Sequence, residues 1–120
     1  MGHAGDILER TYNFALRIVV LARHLPDSAE CRVLVRQLVR SGTSVGANIE
    51  EATAGYSREE FIYKMNIALK EARERHYWLR LIRDAKYLPH NRFDAIIQEA
   101  YELSRILGSI VSKSRGKTKN

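Results

Sequence analysis

Arg40-Ser41-Gly42-Thr43-Ser44-Val45-Gly46-Ala47-Asn48 is the stretch whose reading decides the fold. By composition it is a loop, with two glycines, two serines and a threonine in a row of small polar residues. By phase it is not. Cys31, Leu34, Leu38, Gly42, Val45, Ile49 and Ala52 keep a helical rhythm straight through it, and no proline interrupts them. A loop would reset that phase. The spacing therefore predicts one helix over 28–54. Each helical glycine costs about 1 kcal/mol relative to alanine, so close packing against a neighbour must compensate.

Working outward, punctuation divides the rest into three more helices. Asp6 and Glu9 have capping-box spacing, and Ile7, Phe14, Ile18, Leu21 and Leu25 follow at helical intervals up to Pro26. Asp27 and Glu30 restart the chain. Gly55 stops the second helix, and Ser57 with Glu60 opens the third, which carries Phe61, Met65, Ala68, Ala72, Leu79 and Ile82 on one face. The fourth places Phe93, Ile97, Ala100, Leu103, Leu107 and Ile110 on a stripe. The expected helices are 6–25, 28–54, 58–87 and 91–112. Their short connections predict an all-α, antiparallel up-down-up-down four-helix bundle over 1–112, with 113–120 as a flexible basic tail.

Composition agrees and excludes much else. A chain of 120 residues is one domain, and 45% hydrophobic with 28% charged is ordinary for a globular protein. Two prolines argue against a turn-rich β fold, and the single cysteine, Cys31, excludes an internal disulfide framework or a thiolate zinc site. No apolar run approaches the roughly 20 residues that span a bilayer. The first residues carry no signal-peptide pattern. The expectation is a cytoplasmic protein with no membrane partner.

The formal charge of +6 is unevenly spread. Residues 1–60 sum to −1 and residues 61–120 to +7, of which the stretch 113–120 supplies +4. Two features concentrate the excess: Lys113, Arg115, Lys117 and Lys119 in the tail, and Arg73, His76, Arg80 and Arg83 along one strip of the third helix. Both are candidate contacts to the phosphates of RNA or DNA. The alternative for the strip is a solvated flank in which Arg75 pairs with Glu71 and Arg80 with Asp84. The third helix also has a second apolar face. On a wheel of about 100° per residue, Tyr63, Ile67, Tyr77, Trp78 and Leu81 lie opposite its core stripe, and they are the candidate oligomer interface. Leu16 and Val20 likewise face away from the core stripe of the first helix.

Catalytic signals are sparse. Arg83 and His90 have the spacing used by metal-independent ribonucleases of helical-bundle type, where histidine moves protons near neutral pH and arginine holds phosphate. With 14 arginines and 4 histidines, such spacings arise by chance about as often as they are found, Arg17 with His24 included. No Glu-x-x-His unit exists, so a di-iron bundle site is not expected and no metal or cofactor is assigned. The polar residues Ser44, Asn48, Glu51, Lys64, Glu71 and Glu74 are expected to form a buried structural network that sets helix register.

From Arg40 to Ile82 the chain resembles the bacterial four helix bundle protein family, also called the S23 or 23S rRNA intervening-sequence protein family. The matching stretches are Arg40 to Asn48, Glu51-Ala52, Ser57 with Phe61 and Lys64, Ile67 to Ala72 with Glu74, and Tyr77-Trp78-Leu79. Many relatives read Asn-Ile-Ala-Glu-Gly where this chain has Asn48-Ile49-Glu50-Glu51-Ala52. The resemblance implies a four-helix bundle whose members commonly form homopentameric rings. It also implies a link to ribosomal RNA insertions, or to nucleic-acid-binding accessory proteins that contact a reverse transcriptase. It implies no catalytic residues. The reading is a non-enzymatic, self-associating bundle that accompanies nucleic acid. A ribonuclease using Arg83 and His90, or a protein-interaction scaffold without nucleic acid, stands as the alternative.

Overall fold

The computed structural model describes residues 3–55 and 57–119, with side chains over 6–55 and 57–116. It contains α1 (His3–Arg23), α2 (Ala29–Ala54), α3 (Arg58–Asp84), a 3-10 turn (His90–Phe93) and α4 (Asp94–Lys119). No strand occurs among the described residues. Each helix packs on its neighbours in the chain, and α1 meets α4 to close a four-helix bundle of 50 × 23 × 22 Å. The α2–α3 seam is the most extensive and the α1–α4 seam the slightest.

The ambiguous stretch is helical throughout, and its small residues let α1 approach. A Cβ built on Gly42 would lie 3.1 Å from Ile18 Cγ1, and one on Gly46 would lie 3.4 Å from Thr11 Oγ1. Thr11 and Ser41 are buried hydroxyls on this seam, and each spends its hydrogen on its own helix. Thr11 Oγ1 donates to the Ile7 carbonyl at 2.8 Å, and Ser41 Oγ to that of Gln37 at 2.8 Å.

Helix ends differ from the sequence expectation for identifiable reasons. Helix α1 unwinds at Arg23, not Leu25, because a residue before proline disfavours α geometry. Its last amides bond three residues back, His24 N–H to Leu21 O and Leu25 N–H to Ala22 O. Asp6 lies within the first turn of α1 and does not cap it. Ser28, not Asp27, caps α2, its Oγ accepting from Cys31 N–H at 3.4 Å. Ser57 Oγ accepts from Glu60 N–H at 3.0 Å, as its spacing predicts. Helix α3 ends at Asp84, not Tyr87, because Lys86 turns into the left-handed region with φ 65°. A 3-10 turn follows Pro89, so α4 begins at Asp94. The helix then continues past Ser112 to Lys119, where charge alone suggests a tail without structure. The buried phase here is Phe93 of the 3-10 turn followed by Ile96, Ala100, Leu103, Leu107 and Val111 of α4; Ile97 and Ile110, assigned to the stripe from spacing, are half-buried beside it.

One core position is charged. Arg75 is fully buried. It follows Met65, Ala68 and Ala72 on the seam of α3 and precedes Leu79 and Ile82, at alternating intervals of three and four. Its guanidinium carbon sits 3.9 Å from the centroid of the Phe14 ring on α1, and Nη1 donates to the Gly42 carbonyl on α2 at 3.3 Å. Nε and Nη2 find no acceptor among the described residues. The side chain is therefore not the exposed partner of Glu71 that the flank reading suggests. Burial pushes its pKa down to about 9, and the negative charge of Glu99 opposes this, so the core holds a cation at neutral pH.

Two sets of substitutions test this packing by thermal or denaturant unfolding. Gly108 has nothing within 4 Å of a Cβ position, so Gly108→Ala should gain about 0.5–1 kcal/mol from helix propensity. Gly42→Ala should gain nothing or lose about 1–3 kcal/mol against Ile18, and Ile18→Val should restore part of that loss. Arg75→Met, which keeps bulk and removes the uncompensated charge, should be neutral or stabilising by about 1–4 kcal/mol. Arg75→Ala should cost about 2–5 kcal/mol by opening a cavity beside Phe14.

Candidate nucleic-acid interface

Arg73, His76 and Arg80 stand at intervals of three and four residues, so α3 projects them from one strip. Helix α4 runs beside that strip and adds Tyr101, Ser104, Arg105 and Gly108. These seven residues line a cleft of about 450 Å³ that contains no carboxylate. Arg73, Arg80 and Arg105 make no ion pair within 4.0 Å among the described residues. The Tyr101 ring lies 6.2 Å from that of His76 at 45°, and the Arg105 guanidinium is 5.8 Å from the Tyr101 centroid. Arg80 sits 6.0 Å from the Tyr77 ring, not on Asp84. The cleft is therefore lined by three arginines without an ion pair among the described residues, with an aromatic edge.

Arg83, the fourth member of the expected strip, does not line it. Its Nε and Nη2 donate to Asp84 Oδ1 at 2.8 Å and Oδ2 at 3.3 Å, and this bond raises its pKa. Asp84 Oδ1 is also 4.0 Å from His90 Nε2. The structure thus gathers Arg83, Asp84 and His90 at one end of the bundle, with the arginine fork already occupied. Lys113 belongs to a different place, a cleft shared with Arg58, Phe61 and Ser114. Arg115 is exposed, and the side chains of Lys117 and Lys119 lie outside the described residues.

The expected polar network is half-buried or exposed at the α2–α3 rim, not buried in the core. Lys64 Nζ reaches Glu51 Oε1 at 2.6 Å. Arg40, which the sequence reading leaves out of the network, bridges Glu71 Oε1 at 3.0 Å and Glu74 Oε2. Glu74 Oε2 also accepts from Trp78 Nε1 at 3.1 Å. Among the described residues Ser44 and Asn48 bond within α2, to the carbonyls of Ser41 and Ser44. Of the candidate interface residues, Tyr63, Tyr77 and Leu81 are exposed at 63%, 49% and 38%. Ile67 is half-buried, and Trp78 packs against the core with Tyr77 edge-on at 5.0 Å. On α1, Tyr12, Leu16 and Val20 add a second exposed apolar row.

An all-α chain of this kind, with no helix among its described residues long and apolar enough to cross a membrane, is defined by its bundle and basic cleft. The sequence profile described as 23S rRNA-intervening sequence protein matches residues 4–109, and the chain belongs to that family. It is similar to a crystal structure of a protein with unknown function from the S23 ribosomal protein family of Bacteroides thetaiotaomicron VPI-5482. That similarity has a TM-score of 0.81 at 41% identity, covering 88% of this chain and 97% of the other. No curated protein matches the chain.

Charge in the cleft has a measurable signature. Burial, then Arg80, then Arg83 lower the pKa of His76 below its ordinary 6.5. The unfolded chain therefore takes up this proton at higher pH than the folded one. The stability contributed by neutral His76 is fully present above pH 6.5 and is lost as pH falls from there to the folded midpoint. An NMR titration of the imidazole should give a midpoint below 6.5, and Arg80→Gln should move it upward.

Proposed function

We propose that the protein is a non-enzymatic, self-associating helical bundle that holds RNA or DNA by charge, as an accessory to a second protein such as a reverse transcriptase. The observation that supports the reading most is the α3–α4 cleft, where three arginines share one site without an acidic partner. Arginine forks suit phosphate oxygens, and helical strips of this kind position a backbone without reading bases. Lys113 and Arg115 add positive charge beyond the cleft, and Lys117 and Lys119 follow them in the sequence. Self-association places several clefts on one particle, which raises avidity for a long polyanion without any new contact. The exposed Tyr63, Tyr77 and Leu81 of α3 supply the apolar surface for it, and a homopentameric ring in the cytoplasm is the form the family suggests. A ribonuclease reading would rest on Arg83 and His90; the bond of Arg83 to Asp84 engages the donors that would hold phosphate.

Binding of labelled RNA and DNA across a salt series tests this reading. Affinity should fall with salt at a slope of about −0.7 per phosphate contact on single strands. Arg73→Gln with Arg80→Gln should flatten the slope, and deletion of 113–120 should weaken binding without abolishing it. No retention at low salt would sink the nucleic-acid reading in favour of a pure protein scaffold. Light scattering should give a multiple of 13.8 kDa, reduced to that value by Tyr63→Glu with Leu81→Glu.

A further inference from the structure

The α3–α4 cleft is built differently from a groove that only tracks a nucleic-acid backbone. Its volume of about 450 Å³ is in the range of small-molecule sites, and three of its seven lining residues are arginines. A backbone phosphodiester brings one negative charge. A terminal phosphate brings about 1.5–2 at neutral pH and three acceptor oxygens. A terminal phosphate offers Arg73, Arg80 and Arg105 more charge at a single point than one phosphodiester does.

The remaining lining points the same way. Gly108 leaves its side of the cleft open, with nothing within 4 Å of a Cβ position. The Tyr101 ring is half-exposed at the edge and tilted against His76, so a base next to a bound phosphate has an aromatic face to stack on. Stacking of that kind requires a base that is free of a partner strand.

We propose that this cleft binds the phosphorylated end of a single-stranded nucleic acid, with the arginines on the terminal phosphate and Tyr101 against the last base. The inference rests on the nucleic-acid reading above and narrows it from strand to strand end.

The test compares 12-nucleotide single strands that carry a terminal phosphate or a terminal hydroxyl, binding to the full-length protein at fixed salt. Strands phosphorylated at the 5′ end and at the 3′ end are run separately, with inorganic pyrophosphate as a competitor. At least one phosphorylated strand should bind about tenfold more tightly than the hydroxyl strand, reflecting charge-assisted arginine contacts. Pyrophosphate should erase that difference. Gly108→Leu fills the cleft while keeping every charge and favouring the helix. It should abolish the preference, so that phosphorylated and hydroxyl strands bind alike. A melting curve at or above that of the parent protein confirms that the variant is folded. Equal binding of phosphorylated and hydroxyl strands overturns this inference and leaves general nucleic-acid binding standing. Failure of every strand to bind overturns both.

Discussion

The bundle turns on a guanidinium in its centre. Arg75 leaves α3, lies over the Phe14 ring of α1 and donates to the backbone of α2 at Gly42, so one side chain touches three helices. Such a charge is tolerated only where its surroundings are fixed. Phe14 must present its face, and the Gly42 carbonyl must be reachable. Arg75 bonds the carbonyl of the same glycine against which Ile18 of α1 is pressed. The small-residue stretch of α2 thus serves two seams. It admits α1 on one side and exposes a carbonyl to α3 on the other. A charge with two unused donors is a poor source of stability, because an unpaired buried polar group costs more than a satisfied one returns. Its value is geometric, since it has one position in which the ring and the carbonyl are both within reach.

Around that centre, opposite charges are sorted by seam. At the α2–α3 rim Arg40 and Lys64 engage Glu71, Glu74 and Glu51. At the α1–α4 seam Arg10 binds Glu99 at 2.7 Å and Glu102 at 3.2 Å. At the α3–α4 seam Arg73, Arg80 and Arg105 line a cleft without a carboxylate. Three of the arginines that those ion pairs leave out stand together between α3 and α4. This is why the cleft, and not the overall charge, carries the functional reading. A chain with the same net charge and paired arginines would offer phosphate nothing of the kind.

Half of that cleft was readable before folding. Arg73, His76 and Arg80 share a helix, and their spacing places them on one strip whatever the tertiary structure does. Tyr101, Ser104 and Arg105 lie on α4, and nothing in their local sequence says which helix they will face. Arg83 shows the converse limit, because its spacing belongs to the strip while its fork goes to the neighbouring Asp84. Arg75 carried a signal that charge obscured. Its intervals to Ala72 and Leu79 match the core phase as well as any leucine, and only its polarity suggested an exposed flank.

Helix number, the unbroken second helix and the antiparallel path follow from the sequence alone, because periodicity, caps and short connections act locally. Ser57, the α2 phase and the third-helix stripe carry that information without reference to any distant residue. Tertiary structure decided the rest. It buried a charged Arg75, turned Trp78 onto the core and brought α4 beside the basic strip of α3. These outcomes depend on which helix faces meet and on how closely they approach, and such pairings are set by the packing of the whole bundle.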